Sequence, residues 1–193
     1  MDLRQQRTNR NIINAFLKLR SQKPIEKITV KELADEAVIH KATFYLHYHD
    51  IYELSEMLEQ KVIEDILNGL TEPAMILTDV NRFSEELYCL LLANESLMEI
   101  LFSGSRAGML AIKLEQSLKQ YIFHRRPDWN TLEINVILTY LIYGGYHAYV
   151  QYKNTVHSKP EDLKEIMRII NQMASTVLCV YTEEKETDPE HDS

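Results

Sequence analysis

Cysteine, glycine, proline and tryptophan are all scarce in this 193-residue chain, at two, five, five and one. Two cysteines cannot staple a fold of this length. Cys89 and Cys179 each sit in an apolar helical pattern, so both are expected as buried free thiols in a reducing compartment. The few glycines and prolines fall mostly between apolar-periodic segments, which argues for an all-α protein with short connections. No apolar run approaches the ~18 residues of a membrane span. The first twenty residues, MDLRQQRTNRNIINAFLKLR, are charged and amphipathic and lack a signal-peptide core. The expectation is a cytoplasmic protein with no membrane partner. No nucleophile–base pair and no Gly-rich phosphate loop stands out, so neither an enzyme nor a cofactor is expected. No internal repeat is evident.

What the chain does hold is 45% hydrophobic and 26% charged residues, the balance of a globular protein with a proper core. The net charge of −8, taken alone, argues against nucleic acid. Its distribution argues otherwise: residues 1–50 carry nine Lys and Arg against six Asp and Glu, a mildly basic head on an acidic body.

Residues 9–22 read as a helix with Ile12, Ile13, Phe16, Leu17 and Leu19 on one face, stopped by Pro24. Three helix starts follow quickly. Thr29 with Glu32 reads as a capping box, each side chain satisfying a backbone donor, and opens a short helix. A second short helix spans His40–Leu46. Asp50 with Glu53 repeats the box before a long helix to about Leu67, ended by Gly69 and Pro73. Ala34 and Ala37 are small enough to let the second short helix approach the first. Two short braced helices before a long one are the layout of a helix-turn-helix. Further helices are expected near 80–93, 95–103, 107–125, 131–153 and 161–181. The domains are then a DNA-binding head at 1–50, a connecting helix at 51–70, a helical body at 71–182 and a disordered acidic tail at 183–193.

Within residues 28–54, Thr29, Val30, Leu33, Ala34, Ala37, Ile39, Thr43, Phe44, Tyr45, His47, Tyr48 and Leu54 form an ordered pattern. It resembles the DNA-binding head of the TetR/AcrR family of transcriptional regulators, over about residues 8–60. The rest of the chain resembles that family only in helicity and length. Three residues depart from the family pattern: Val38 replaces a glycine, His40 a serine N-cap, and Ile51 a phosphate-binding lysine.

The resemblance gives the aromatic stretch ATFYLHYHD, residues 42–50, a purpose. Phe44 and Leu46 are expected to pin the helix against Ala34, Ala37 and Leu54. Thr43, Tyr45 and His47 offer donors to phosphate oxygens. His40, Lys41 and Ala42 lie at the end that enters the major groove, Lys41 toward a guanine edge and Ala42 toward a thymine methyl. With Thr29 and Tyr48 these complete the expected DNA contacts, and Arg4, Arg7 and Arg10 can reach neighbouring phosphates. A metal site at His47, His49 and Asp50 is the rival reading. Residues two apart on a helix point to different sides, so no metal site is expected.

In the body, tyrosines at 140, 143, 146, 149 and 152 step by three residues and spiral round their helix, some into packing and some toward a cavity. Gly144-Gly145 in mid-helix suggests close backbone approach or a bend. Met98, Phe102, Met109, Tyr121, Tyr140, Tyr143 and His147 are the candidate lining of a pocket for a small apolar or aromatic effector, together with the apolar Leu87, Leu90, Leu91, Leu101 and Leu114, and with Trp129 nearby. The last helix carries a broad apolar face that includes Ile166, Ile170, Met173 and Val177. By the resemblance this face forms a homodimer interface, and the protein is expected to be a ligand-responsive repressor on an inverted-repeat operator in double-stranded DNA. The alternative is a family member that acts, even as an activator, through a partner protein without an effector.

Overall fold

The computed structural model describes residues 3–72, 74–155 and 160–187, with side chains for 3–72, 74–152, 162 and 164–179. Among these residues the protein is all α-helix, with no strand. Helix α1 (Leu3–Arg20) starts six residues before its apolar period. Two short helices follow, α2 (Val30–Glu36) and α3 (Lys41–Tyr45), and then the long α4 (Ile51–Gly69). The remainder is α5 (Met75–Thr78), α6 (Val80–Ala93), α7 (Glu95–Leu101), α8 (Met109–Arg125), α9 (Leu132–Thr155) and α10 (Pro160–Thr187). Single 3-10 turns at Ile25–Lys27, Gly104–Arg106 and Pro127–Trp129 make corners between them.

Helix α10 continues through Thr187, where a disordered tail was expected from residue 183. Glu183, Glu184, Lys185 and Glu186 are sound helix formers, and nothing halts the chain before Pro189, which disfavours helix at the residue ahead of it. The expected tail beyond Thr187 lies outside the described residues. Neither cysteine is in a disulfide, and both are exposed rather than buried. No helix among the described residues is long and apolar enough to cross a membrane.

The chain divides into two compact units, Met1–Asp65 with Asn94–Leu110, and Ile66–Ala93 with Ala111–Ser193. Residues 94–110, expected in the body, thus cluster with the N-terminal helices. The reason is a buried ionic clamp. Glu59 of α4 has no exposed surface, and Arg106 closes on it with two parallel bonds, Nε to Oε1 at 2.8 Å and Nη2 to Oε2 at 2.6 Å. Ser55 donates a third bond to the same carboxylate at 2.8 Å. A bidentate pair of this kind compensates a charge that would otherwise be intolerable in an apolar interior. The bond to Glu59 holds the Arg106 guanidinium above its usual range. Arg20, also buried, donates to the carbonyl oxygens of Ser103 at 2.8 Å and Lys23 at 3.3 Å, and burial pulls its pKa down. Met98, Leu101 and Phe102 of the same segment are buried.

In the second unit α6 and α9 both pack against α10. Val80, Ala174 and Leu178 form a buried cluster, with Leu77, Ile137 and Leu141 against it. Of the glycine pair, Gly145 is the close approach: a methyl there would sit 3.4 Å from Ile170 Cγ2. Gly144 faces open space.

Candidate functional site

Helices α2 and α3 are joined by a tight, strained corner. The N–H of Val38 bonds the Asp35 carbonyl at 3.2 Å, and the N–H of Ile39 bonds the Ala34 carbonyl at 3.0 Å. This pair of bonds is a Schellman stop for α2, and it demands a left-handed residue at Val38. Val38 has φ 55°, a conformation that β-branched side chains avoid, and its side chain is 87% exposed. The caps are half of what the sequence suggests. Thr29 Oγ1 accepts from Glu32 N at 3.2 Å, but the Glu32 carboxylate is held by Lys23 and does not return to Thr29. At α4, Asp50 Oδ1 accepts from Glu53 N at 2.8 Å, which holds the Asp50 carboxyl below its usual range. The Glu53 carboxylate reaches back to the His49 N–H.

Burial sorts the aromatic stretch into two faces. Phe44 is fully buried, as are Leu33, Ala34 and Leu54. Tyr48 is also buried, and its hydroxyl donates to Asn9 Oδ1 of α1 at 2.5 Å. Burial raises the Tyr48 pKa, and the bond to Asn9 offsets part of that. Tyr48 therefore braces α3 against α1 and is withdrawn from the set of expected DNA contacts, because its hydroxyl is already committed. Leu46 is a second correction: it is 84% exposed and pins nothing. It follows the last turn of a helix only five residues long, where an apolar side chain no longer points at the core.

The outward face holds Thr29, His40, Lys41, Ala42 and Tyr45 as exposed residues, with Thr43 and His47 half-buried. His40 caps α3 by backbone geometry alone, without a side-chain bond. Lys18 and Lys23 are paired with Glu36 and Glu32, whereas no carboxylate lies within salt-bridge distance of Arg7, Arg10, Lys27, Lys31 or Lys41 among the described residues. Ile51, at the position of the family's lysine, is buried and belongs to the core. His49 sits 3.4 Å from Asp50. No three potential metal-ligating side chains are grouped among the described residues.

The second unit contains a cavity of about 120 Å³, whose walls include Val80, Phe83, Leu118, Leu141, Tyr146 and Tyr149. Of the expected lining, Leu87, Leu91 and Leu114 reach it, whereas Met98, Phe102, Met109, Tyr121, Tyr140, Tyr143 and His147 do not. Met98 and Phe102 are buried in the other unit, and Met109 is half-buried at the start of α8. Tyr121 carries Arg125 stacked 3.6 Å over its ring. Tyr140 is 57% exposed, Tyr143 lies beside His147, and His147 is itself exposed. The actual lining comes from Ile76 of α5 and from the faces that α6, α8, α9 and α10 turn toward one another. The missed signal is that Val80 and Ser84 extend the expected Leu87 and Leu91 into one stripe on α6, spaced at three and four residues. Trp129 lies under Arg126 at 4.2 Å and does not touch the cavity.

Of the residues expected in a dimer interface, Ile170 instead turns inward to the cavity. Met173 is 60% exposed, with Ile169 one turn away at 45%, while Ile166 and Val177 are half-buried on the same side. Helix α9 adds exposed Leu132, Val136 and Tyr140 at four-residue spacing. No family model matches the chain, and no curated protein matches it.

Proposed function

We propose that the protein is a cytoplasmic DNA-binding transcriptional regulator of the TetR/AcrR type, acting as a homodimeric repressor whose second unit takes a small apolar effector. The observation that carries this reading is the braced corner of α2 and α3. Phe44 and Tyr48 fix α3 from within, while His40, Lys41 and Ala42 stand exposed at its N-terminal end. An N-terminal turn so held is the part of a recognition helix that reaches base edges in the major groove. Lys41 supplies the cation for a guanine edge. Tyr45 and Thr43 donate to phosphates, as do Arg7 and Arg10, and these contacts set orientation without reading sequence. With Ile51 buried, the backbone anchor of the family pattern passes to Lys41 and the arginines of α1.

The exposed apolar stripes on α9 and α10 support a two-fold dimer through those helices, since a monomer seldom leaves so many large apolar side chains in water. The cavity supports the effector. Its 120 Å³ approaches the ~150 Å³ that holds benzene in an engineered cavity, so a ligand of about six carbons fits without rearrangement. To release DNA, such a ligand must favour a conformation that no longer matches the operator, because equal affinity for both states shifts nothing.

Selection from random duplex DNA tests the reading. The selected pool is expected to converge on an inverted repeat with half-sites about one turn apart. A single half-site, or no preference over random DNA at ~150 mM salt, would refute it. Lys41→Ala should relax base preference, while Tyr45→Phe should weaken all sequences alike.

A further inference from the structure

Beside the cavity, a groove of about 850 Å³ runs between α6 and α10, with Asn81, Glu85 and Cys89 on one wall and Lys164, Arg168 and Ser175 on the other. Two residues, Tyr88 and Met167, line both the groove and the cavity, so they form the partition between them. Asn171 also lines the groove. It is only 9% exposed, and its Oδ1 has no hydrogen-bond partner, nor has the buried Oγ of Ser175 one turn further along α10. A buried acceptor left without a donor is a costly feature that native proteins avoid unless something else supplies the partner.

The charges in the groove cancel. Its charged lining is Glu85, Lys164 and Arg168, and Arg168 is already paired at 2.7 Å with Glu165 outside the groove, which leaves one acid against one base. The groove therefore has no reason to prefer a charged head. Asn171 Oδ1 accepts, while the Ser175 hydroxyl can both donate and accept, and together they match a neutral group that does both. We infer that this groove is the polar end of the effector site, and that the ligand is a neutral amphiphile: a hydroxyl or primary amide on Asn171 and Ser175, joined to an apolar part in the cavity. This rests on the effector-pocket reading above and narrows it to a ligand class. Both polar atoms are sealed from solvent, so entry requires the partition to move. Met167, with three rotatable bonds, is suited to that.

Calorimetric titration of the full chain with hexan-1-ol, hexanamide, hexanoate, hexylamine and benzene tests the inference. The alcohol and the amide should bind about tenfold or more tightly than the two ions and benzene, the difference expected of one or two satisfied hydrogen bonds. Asn171→Leu and the milder Ser175→Ala should each remove that advantage and leave benzene binding unchanged. Asn171→Leu should also raise the melting temperature of the ligand-free protein, since it removes an unpaired buried amide. If benzene binds as well as the alcohol, the cavity reading stands and the polar site is wrong. Tightest binding by either ion, or a lowered melting temperature with unchanged amide binding in Asn171→Leu, also overturns the inference. If no probe binds, benzene included, the effector pocket itself fails and this inference goes with it.

Discussion

The two units solve opposite problems with the same helices. Of the twelve largest fully buried side chains among the described residues, eight belong to the unit of Met1–Asp65 and Asn94–Leu110, although it is the smaller. In that unit Glu59 accepts from Arg106 and Ser55, and Arg20 donates to two carbonyls through its Nη1 and Nη2, with its buried Nε left without a partner. The other unit keeps a void and leaves Asn171 and Ser175 without partners. It also turns Ile169, Met173, Leu132 and Val136 outward. On the proposed function the contrast is a division of labour: a surface that presents side chains to DNA at fixed positions needs a rigid, densely buried frame, while a unit that takes a ligand or a partner keeps a cavity and outward apolar side chains.

The largest expected effect would break the comparison on its open side. If the outward stripe of α10 is an interface, Ile169→Glu with Met173→Glu should give a folded monomer. Operator affinity should then fall on the order of 10²–10⁴-fold, because two half-sites are no longer linked. Light scattering and a gel-shift titration check this. A dimer that survives the double change would mean the stripe has another use. Ile170→Glu should behave differently, lowering stability rather than dissociating the dimer, because that side chain faces the cavity.

On the densely buried side, Arg106→Met should cost about 3–5 kcal/mol, since it leaves the fully buried Glu59 without its counter-ion. Urea unfolding measures it. Pairing it with Glu59→Leu should recover much of the loss, because an apolar pair of similar size removes both desolvation penalties. If the single change costs under about 1 kcal/mol, the clamp is not what ties residues 94–110 to the N-terminal helices.

Much of this was legible in the sequence because helical period and caps are local. The starts at Thr29 and Asp50, the order of the helices and the burial of Phe44 follow from neighbours within a turn or two, whereas the exposure of Leu46 and the burial of Tyr48 did not. What escaped depends on distance. Glu59 and Arg106 lie 47 residues apart, and a lone acid in mid-helix looks like a solvated one until its partner is placed. The cavity escaped for a different reason. Tyrosines and methionines were chosen by type, but a void is bounded by whatever five helices fail to fill. Tyr146 and Tyr149 meet it, while Tyr140 and Tyr152, on the same helix, point to solvent.

A smaller effect sharpens the picture of the frame. Val38 holds a left-handed φ that costs a non-glycine residue about 1–3 kcal/mol, and its exposed side chain recovers almost nothing by packing. Val38→Gly relieves that strain but frees the unfolded chain by about 0.4–1 kcal/mol. The net expectation is a gain of about 1 kcal/mol in urea unfolding, with α2 and α3 unmoved. A loss of stability would mean that the Schellman corner tolerates valine for a packing reason.

The smallest expected effect concerns His40, and it separates stability from binding at a single position. The residue already has extended N-cap geometry, with φ −79° and ψ 148°, yet its ring makes no bond to the first turn of α3. Serine there can accept from a free N–H of that turn. N-cap changes of this kind are worth about 0.5–1 kcal/mol at exposed helix starts. His40→Ser should therefore stabilise the protein by that amount. The same substitution removes an exposed ring from the end of α3 that is proposed to enter the groove. If His40 touches DNA, operator affinity should fall while stability rises, and the two measurements move in opposite directions. If affinity is unchanged or rises with stability, His40 is only a poor cap, and base reading rests on Lys41 and Ala42.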